Sequence, residues 1–331
     1  MILISNNDIN DPAINLALEE YCVRNLNFEK ENYLLFYINE PSIIIGKHQC
    51  TMEEINYEYV KANNMHVVRR ISGGGAVYHD RGNLNFSFLS KHTDDSIHNF
   101  EKFTRPVRDT LVEMGVNAEM TGRNDIVVDG RKISGNAQFT NMKSMFSHGT
   151  LLFDSHLEDV VQALNVKTDK IESKGIKSIR SRVANITEFL KEPMSIIQFR
   201  EKIIQSIFRD AKKIPIYRLS EEHWEEVKKL ANEKYKTWDW NFGRSPEFNI
   251  QKTKRFEFGQ IDARLQVKDG TIVEVKFYGD FLGHGETEEI EKNLAGKKYK
   301  EEEITPVLKS FDLNLYFGAI TPEEFAAFLI G

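Results

Sequence analysis

The stretch that decides the fold is Val67–Leu89, VVRRISGGGAVYHDRGNLNFSFL, in which three consecutive glycines separate two apolar segments. The segment that ends at Val68 predicts a buried strand. After the glycines, apolar residues alternate with polar ones at Leu84, Phe86 and Phe88, the period of two that is typical of a half-buried strand. The glycine run is therefore predicted to connect two strands, not a strand and a helix.

Gly73, Gly74 and Gly75 provide backbone without Cβ atoms, which can lie flat against a ligand. The Rossmann fingerprint needs its glycines at the start of a helix, and the P-loop needs Lys-Ser or Lys-Thr after them; neither pattern is present. Arg69 and Arg70 stand before the glycines as fixed positive charges. The sequence predicts a loop that covers a ligand, and an ordinary glycine-rich turn is the alternative.

Length and composition restrict the class of protein. The 331 residues suffice for two domains of roughly 150 residues each. A net charge of −6 implies no general affinity for nucleic acid or membranes, and no apolar run approaches the roughly 18 residues of a membrane helix. The two cysteines, Cys22 and Cys50, are too few for a disulfide framework. We therefore expect a cytoplasmic protein.

Helical and strand patterns alternate through the first 240 residues. Asp11 is a typical N-cap with Pro12 at the first helical position, and Ser195 with Gln198 forms a capping box. Helices are predicted over 11–26, 53–63, 100–114 and 157–164 and after Ser195 and Ser220, and strands over 33–38, 42–45, 126–128, 132–134 and 149–153. This pattern predicts an α/β fold with a mixed sheet and a large first domain over residues 1–244, the part of the chain that carries most of the motifs described below.

The composition changes after Trp238–Pro246, an aromatic segment with Gly and Pro that is predicted to be a linker. A hairpin is predicted from Phe256–Val267 and Thr271–Tyr278 around Asp269-Gly270, followed by three short helices over 287–294, 301–310 and 321–330. Residues 247–331 are long enough for a small C-terminal α+β domain with its own core.

Asn124-Asp125 and Lys132 lie on either side of Asp129-Gly130, a strong hairpin signal that lets them face the same side. Lysine is a compact cation suited to a phosphate or carboxylate oxygen, and a nearby carboxylate can hold magnesium. The alternative is an ordinary surface ion pair, because such pairs are common and weak.

A basic run, Lys174–Arg182, follows with few large apolar residues. The two interpretations are a solvated loop and a mobile lid that closes on a nucleotide. His79 and His148 lie near glycines, and each taken alone suggests a structural histidine. No histidine spacing typical of a zinc site is present.

Several motifs in order along the chain carry a resemblance. Arg69–Asn83, RRISGGGAVYHDRGN, resembles the signature of the lipoate–protein ligase A family, in the biotin/lipoate ligase superfamily. The resemblance continues in GRND at 122–125, GRKISG at 130–135, SHGT at 147–150, KGIKSIRSRV at 174–183 and at 238–243. It covers most of the chain.

The resemblance implies a two-step reaction that serves lipoate salvage and protein modification. Lipoate and ATP form lipoyl-adenylate with Mg²⁺ present, and a lysine of an acceptor then takes the lipoyl group. It implies acceptors such as the lipoyl domains of 2-oxoacid dehydrogenase acyltransferase subunits and the glycine cleavage H protein. No nucleic-acid or membrane partner is expected.

The resemblance also implies the site residues, with Lys132 as the catalytic residue and Asp125 as the metal ligand. ATP is expected at a set drawn from the glycine loop, the hairpin and the basic run: Arg70, Gly75, Ala76, Val77, Tyr78, Asn83, Asp125, Lys132, Arg180, Ser181 and Arg182. Lipoate is expected at an overlapping set: Ser72, Gly73, Gly74, Gly75, His79, Lys132, His148 and Gly149.

Two other classes stay open at this point. One is an octanoyl or lipoyl transferase of the same fold. The related transferases work through a cysteine in the lid region, but no cysteine follows Cys50, and those transferases lack a second domain. The other is a non-catalytic protein that binds an acyl-adenylate, against which Lys132 and the basic run argue.

Overall fold

The computed structural model describes residues 1–121, 124–164, 182–242, 249–268 and 270–330, with Met52 and Glu53 described by their backbone alone. By their packing, these residues form two compact units. The first comprises Met1–Ile45, Met52–Arg69 and Val77–Asn241, and the second comprises Gly46–Thr51, Arg70–Ala76 and the chain from Phe242 onward.

Strands of the first unit are numbered here in chain order: β1 Ile2–Ile4, β2 Tyr33–Tyr37, β3 Ser42–Ile45, β4 His66–Arg69, β5 Val77–His79, β6 Asn83–Lys91, β7 Glu119–Thr121, β8 Asp125–Val128, β9 Arg131–Thr140, β10 Ser144–Leu152 and β11 Ile216–Tyr217. In the described part of the chain, eight of them form one sheet in the order β11-β1-β2-β6-β10-β9-β8-β7. β1 runs parallel to β2 and β11, and the other pairs are antiparallel. This mixed sheet confirms the predicted fold class.

Two strands of a smaller sheet in the first unit flank the glycine loop in the sequence. The order of this sheet is β4-β3-β5, with β4 parallel and β5 antiparallel to β3. The glycines lie between the end of β4 at Arg69 and the start of β5 at Val77, so the prediction that they connect two strands is confirmed.

Helices of the first unit begin where their side chains can cap them. Asp11 accepts hydrogen bonds from Ala13 and Ile14 N–H, and the predicted capping box of Ser195 and Gln198 is present. The helices are Pro12–Asn25, Thr51–Glu54, Tyr57–Ala62, Phe100–Glu113, Leu157–Ala163, Ile196–Ile207, Glu221–Leu230 with a π-helical extension Ala231–Tyr235, and Trp238–Asn241.

Two predictions in this unit are wrong in detail. The single helix expected over 53–63 is two short ones, because Asn56 caps the second helix through Tyr59 N–H. β6 is buried along Asn83–Ser90 instead of half-buried. It lies inside the sheet between β2 and β10, and helices Pro12–Asn25 and Ile196–Ile207 both contact it.

The second unit contains a three-stranded antiparallel sheet, β12 Ile250–Phe256, β13 Gly259–Lys268 and β14 Thr271–Gly279. The predicted strands Phe256–Val267 and Thr271–Tyr278 correspond to the antiparallel pair β13 and β14. β13 begins only at Gly259, whose φ of 136° is a conformation that favours glycine, and β12 was not predicted. Its helices are Thr287–Leu294, Glu301–Lys309, Leu313–Tyr316 and Pro322–Ile330, around a core that includes Phe277, Phe317 and Phe325.

In the described ranges, no helix is long and apolar enough to cross a membrane. The aromatic segment predicted as a linker begins with the helix Trp238–Asn241, which belongs to the first unit. Residues 243–248 lie outside the described residues.

Candidate active site

Lys132 and Asp125 meet across the hairpin of β8 and β9. Asp129 and Gly130 form the turn, with φ of 50° and 73° as such a turn requires. Lys132 Nζ lies 2.8 Å from Asp125 Oδ1, and the two side chains are 38% and 32% exposed. A pair this open adds little to stability. Both charges are therefore accessible to a ligand.

Gly135, which ends the motif at 130–135, lies close to the Lys132 side chain. A Cβ atom at Gly135 would lie 2.9 Å from Lys132 Nζ and 3.0 Å from Lys132 Cε. The Lys132 side chain thus lies against the backbone of its own strand, and a larger residue at position 135 would displace the end of that side chain from its present position.

The backbone of Lys132 is held by the chain that follows the basic run. Lys132 N–H donates to Arg182 O at 2.7 Å, and Ala184 N–H donates to Lys132 O at 3.0 Å. The structure thereby brings the backbone of Arg182 next to that of Lys132. Arg180, Ser181 and the rest of the predicted lid lie outside the described residues.

His148 is paired with an acidic residue that the sequence did not single out. Its Nδ1 lies 2.9 Å from Glu19 Oε2, on helix Pro12–Asn25, and the two side chains are 10% and 2% exposed. Glu19 is one of two adjacent acidic residues on a helix that is buried along most of its length. Acidic residues within such a helix are the signal that could have found it.

Gly149 lies beside His148 at a crowded point of β10. A Cβ atom there would come within 2.0 Å of Asn136 Oδ1 and 2.6 Å of Phe86 Cζ. Steric exclusion within the sheet therefore requires this glycine, whatever its relation to a ligand.

The glycine loop is organised by Arg70. Its guanidinium donates to Ser72 Oγ at 3.0 Å, to Gly73 O at 2.7 Å and to Gly75 O at 2.8 Å. Gly74 has a φ of 90°, which a residue with a side chain rarely adopts. Arg70 thus shapes the loop that carries the predicted ligand contacts.

Other residues of the second unit also hold this loop. Ser72 O accepts a hydrogen bond from Lys47 N–H at 2.9 Å, and Gly74 N–H donates to Phe281 O at 3.3 Å. A Cβ atom at Gly73 would lie 2.4 Å from Phe281 O. Close backbone packing therefore requires Gly73.

Arg69, which the sequence predicts as a fixed cation at the root of the loop, is held in place by the residues of helix Trp238–Asn241. Its side chain donates to Trp240 O and Asn241 O, at 2.9 and 3.2 Å. Its backbone is held as well, because Trp240 Nε1 donates to Arg69 O and Arg69 N–H donates to Asn241 Oδ1. Helix Trp238–Asn241 therefore fixes the end of β4.

Two further predicted residues, Tyr78 on β5 and Asn83 on β6, are buried. Tyr78 OH donates to Asp159 Oδ2 at 3.2 Å, and burial together with Asp80 and Asp159 raises the pKa of Tyr78 well above its usual value. Asn83 is fully buried and donates to Asn85 Oδ1. Ala76 ends the loop and Val77 begins β5.

His79, on β5, lies within a row of buried amides. Its Nδ1 is 3.0 Å from Asn39 Nδ2, and both residues are almost completely buried. The contact between His79 and Asn39 could not be predicted from the sequence, because Asn39 is 40 positions away.

In the described ranges, no group of three His, Cys, Asp or Glu side chains could hold a metal ion. Asp125 is a single carboxylate beside Lys132. Mg²⁺ commonly takes one or two carboxylates together with substrate phosphates. The donor set fits magnesium that arrives with a nucleotide, not a resident metal.

Cys22 cannot easily form a thiolate. It is completely buried, and burial together with the nearby Glu19 raises the pKa of its thiol. Cys50, at the end of the loop that follows β3, is half-buried. Cys22 is therefore part of the core.

Comparisons with known proteins show the family to which this chain belongs. Residues 11–208 match the family model of the lipoyl protein ligase A/B catalytic domain, and residues 245–329 match the bacterial lipoate protein ligase C-terminus. A lipoate-protein ligase of Bacillus subtilis, LplJ, is 58% identical over 98% of both chains. Lipoate–protein ligase 1 of Staphylococcus aureus is 51% identical over 98% of both.

Solved structures agree with these sequence matches. LipL1 of P. falciparum, solved in complex with lipoate, has a TM-score of 0.79 at 25% identity and covers 100% of this chain and 99% of its own. A bipartite ligase of Thermoplasma acidophilum, described with its E2 lipoyl domain, scores 0.66 at 29% identity over 75% of this chain and 98% of its own. A lipoate-protein ligase A bound with ATP scores 0.61 at 28% identity over 73% and 97%.

Residues 11–208 thus belong to a catalytic domain of the lipoyl protein ligase A/B type. The chain belongs to the lipoate–protein ligase family and is an enzyme of that class, as the resemblance of its motifs implied.

Proposed function

We propose that this enzyme activates free lipoate with ATP and transfers the lipoyl group to a lysine of an acceptor protein. In the first step a lipoate carboxylate oxygen attacks the α-phosphorus of ATP, and pyrophosphate leaves. In the second step an acceptor lysine amine attacks the carbonyl carbon of lipoyl-adenylate; AMP leaves, and the amine loses a proton. Relatives whose structures hold lipoate and ATP support this proposal.

The observation that carries the proposal is the accessible pair of Lys132 and Asp125. Both steps pass through states in which negative charge builds up on phosphate or carboxyl oxygens. A lysine whose backbone is held by hydrogen bonds on both sides can stabilise that charge with little rearrangement. Lys132 is the proposed catalytic residue, and it contacts the lipoate carboxyl and the α-phosphate.

We propose that the glycine loop binds ligand mainly through its backbone. ATP is proposed to contact Gly75, Ala76, Val77 and Tyr78, together with Arg70, Asn83, Arg180, Ser181 and Arg182. Lipoate contacts Ser72, Gly73, Gly74 and Gly75 together with His79, His148 and Gly149. The hydrogen bonds from Arg70 to loop carbonyl oxygens support the proposal, because they keep the loop in one shape.

Magnesium is proposed to enter with ATP and to be held by Asp125 and the phosphates. It would neutralise phosphate charge when bound.

The proposed division into a catalytic domain over 1–244 and an accessory domain over 247–331 is supported by the two family models. The proposed acceptors are lipoyl domains of 2-oxoacid dehydrogenase acyltransferases and the glycine cleavage H protein, and the proposed location is the cytoplasm. An archaeal relative described with its lipoyl domain supports the first acceptor.

The test is exchange of labelled pyrophosphate into ATP, with lipoate, octanoate and biotin compared side by side. We expect exchange that depends on lipoate and Mg²⁺ and that biotin does not support. Transfer of the lipoyl group to a purified lipoyl domain tests the second step, and the increase in mass of that domain is measured by mass spectrometry. Absence of exchange with lipoate, with transfer from lipoyl-protein to lipoyl domain instead, would contradict the proposal.

A further inference from the structure

Four buried polar side chains form a continuous row in the first unit. Asn6, Asn15, Asn39 and His79 are between 0% and 6% exposed. They come from the loop after β1, helix Pro12–Asn25, the loop after β2 and β5. Neighbouring members are 2.9 to 3.3 Å apart.

Backbone groups fix which way each amide in this row points. Asp8 N–H donates to one end of the Asn6 side chain, which must therefore be Oδ1, and the other end, Nδ2, donates to Ile9 O. Asn15 also has a nitrogen on Ile9 O, at 2.9 Å, so its Oδ1 faces Asn6 Nδ2. An amide turned the other way would place two donors or two acceptors together in a buried site.

The direction then passes along the row to the histidine. Asn15 Nδ2 carries two hydrogens; one goes to Ile9 O, and the second goes to Asn39 Oδ1 at 2.9 Å. This leaves Asn39 Nδ2 as the atom facing His79 Nδ1, at 3.0 Å. An amide nitrogen only donates, so His79 Nδ1 is the acceptor, and the ring hydrogen is on Nε2.

We propose that the relay of Asn6, Asn15 and Asn39 holds His79 as the neutral Nε2–H tautomer, so that His79 acts only as a hydrogen-bond donor and Asn39 is its positioning residue. The functional part of this inference rests on the proposed function, in which His79 belongs to the lipoate site. With its Nδ1 lone pair bound to Asn39 and its Nε2 already protonated, the ring cannot take the proton of the acceptor lysine. His79 is thus not the general base of acyl transfer.

The charged groups on elements beside His79 are bonded in ways that do not oppose this state. Asp80 accepts hydrogen bonds from Gly82 and His156 N–H, each at 2.8 Å. Asp159 accepts from Tyr59 OH and Tyr78 OH. On the β2–β3 side, Glu40 pairs with Arg81 and His66. Protonation of Nδ1 would point an N–H at the Asn39 amide group, a cost that keeps the ring neutral.

The direct test is long-range ¹H–¹⁵N NMR of the full-length protein labelled at histidine. The protein has nine histidines, and the signal of His79 is assigned as the one that is missing in a His79→Gln variant. We expect an unprotonated Nδ1 and a protonated Nε2, unchanged from about pH 8 to about pH 5.5, where an ordinary histidine titrates. A protonated Nδ1, or a ring that titrates in this range, would overturn the proposal.

Asn39→Asp tests the positioning role. A carboxylate there accepts from both Asn15 Nδ2 and an Nδ1–H, so we expect the ring hydrogen to move to Nδ1 and the catalytic efficiency with lipoate to fall roughly tenfold, as for one lost hydrogen bond. Asn10→Asp is the matched control, because Asn10 donates to Ile38 O outside the relay. We expect it to keep the Nε2–H tautomer.

The outcomes separate the two proposals. A folded Asn39→Asp protein that keeps the Nε2–H tautomer overturns the relay, and one that changes tautomer but keeps full activity overturns the role of His79. If Asn39→Asp does not fold, the wild-type spectrum alone decides. Failure of lipoate-dependent exchange in the wild-type protein overturns the proposed function and leaves the tautomer assignment standing, since the spectrum needs no substrate.

Discussion

Lys132 Nζ and Asp125 Oδ1 lie 2.8 Å apart on facing strands of one hairpin, where about a third of each side chain is open to solvent. An ion pair in this position contributes little to the free energy of unfolding, because water screens it. The pair is therefore suited to binding a charged ligand, and its two members can be tested separately.

Asp125→Asn should weaken the use of magnesium and ATP while leaving the fold intact. The change removes the carboxylate that is proposed to hold Mg²⁺ beside the phosphates, so we expect the KM for Mg-ATP to rise several-fold. The free energy of unfolding should change by less than about 1 kcal/mol, as for an exposed pair. Pyrophosphate release at varied ATP and Mg²⁺ measures the first effect.

Asp129→Asn is the control for that variant. It lies in the turn of the same hairpin with a φ of 50°, a conformation that asparagine accepts. It should leave the dependence on Mg-ATP unchanged. Equal Mg-ATP dependence in Asp125→Asn and wild type would show that Asp125 has no part in nucleotide binding.

Two glycine substitutions should separate packing from ligand contact. Gly149→Ala forces a Cβ atom to within 2.0 Å of Asn136 Oδ1, and we expect it to destabilise the fold by about 1–3 kcal/mol. Gly75→Ala meets nothing within 4 Å, so the fold should be kept and any lost activity reports on the loop's contact with ligand. Thermal unfolding and pyrophosphate exchange on both variants decide this. Equal stability of the two variants would refute the packing argument.

Trp240→Phe should destabilise the end of β4 by about 1 kcal/mol. It removes the hydrogen bond from Nε1 to Arg69 O, which measures 2.8 Å, and keeps most of the ring's packing. Trp238→Phe is the control, because Trp238 is 57% exposed. Chemical unfolding gives both values. If Trp240→Phe is as stable as Trp238→Phe, the helix Trp238–Asn241 does not hold Arg69 in the way described.

Glu20 should make stability depend on pH in the acid range. Burial of its carboxyl raises the pKa, but the Lys234 ammonium, hydrogen bonds from Lys234 and Tyr235, and Arg24 lower it by more, so the pKa lies below its usual value. The folded state thus favours the ionised form. Its contribution is complete above the unfolded-state pKa of about 4.3 and is lost as pH falls through the lower folded-state value.

The difference in free energy of unfolding between wild type and Glu20→Gln should therefore be largest near neutral pH and shrink below about pH 4. Urea unfolding at a series of pH values measures it. Glu225→Gln, in an exposed pair with Lys228, should show no such difference. A Glu20→Gln difference that grows as the pH falls would have the wrong sign for this account.

Local signals in the sequence predicted much of the fold. Asp129-Gly130 predicted its hairpin because two residues with positive φ suffice to define that turn. The capping of helices by Asp11 and Ser195 was predicted for the same reason. The burial of Asn85 and Ser87 was not, because it depends on β2, β10 and two helices that are distant in the sequence.

The site was predictable where one motif contains both partners. Lys132, Asp125 and Gly135 lie within 11 positions, 125–135, so the hairpin alone brings them together. Glu19 and Asn39 were missed because their partners are 129 and 40 positions away. The acceptors of Arg69, Trp240 O and Asn241 O, were missed for the same reason, since they are 171 and 172 positions away.

Formation of lipoyl-adenylate by Lys132→Ala tests the central claim most directly. The amount of lipoyl-AMP made from lipoate and ATP in one turnover is measured by mass, with Lys143→Ala, an exposed lysine on the next turn, as the control. Lys132 is proposed to stabilise charge in the transition state, so the rate should fall roughly a hundredfold or more, with the protein still folded. Lipoyl-AMP formed by Lys132→Ala at nearly the wild-type rate would contradict the account.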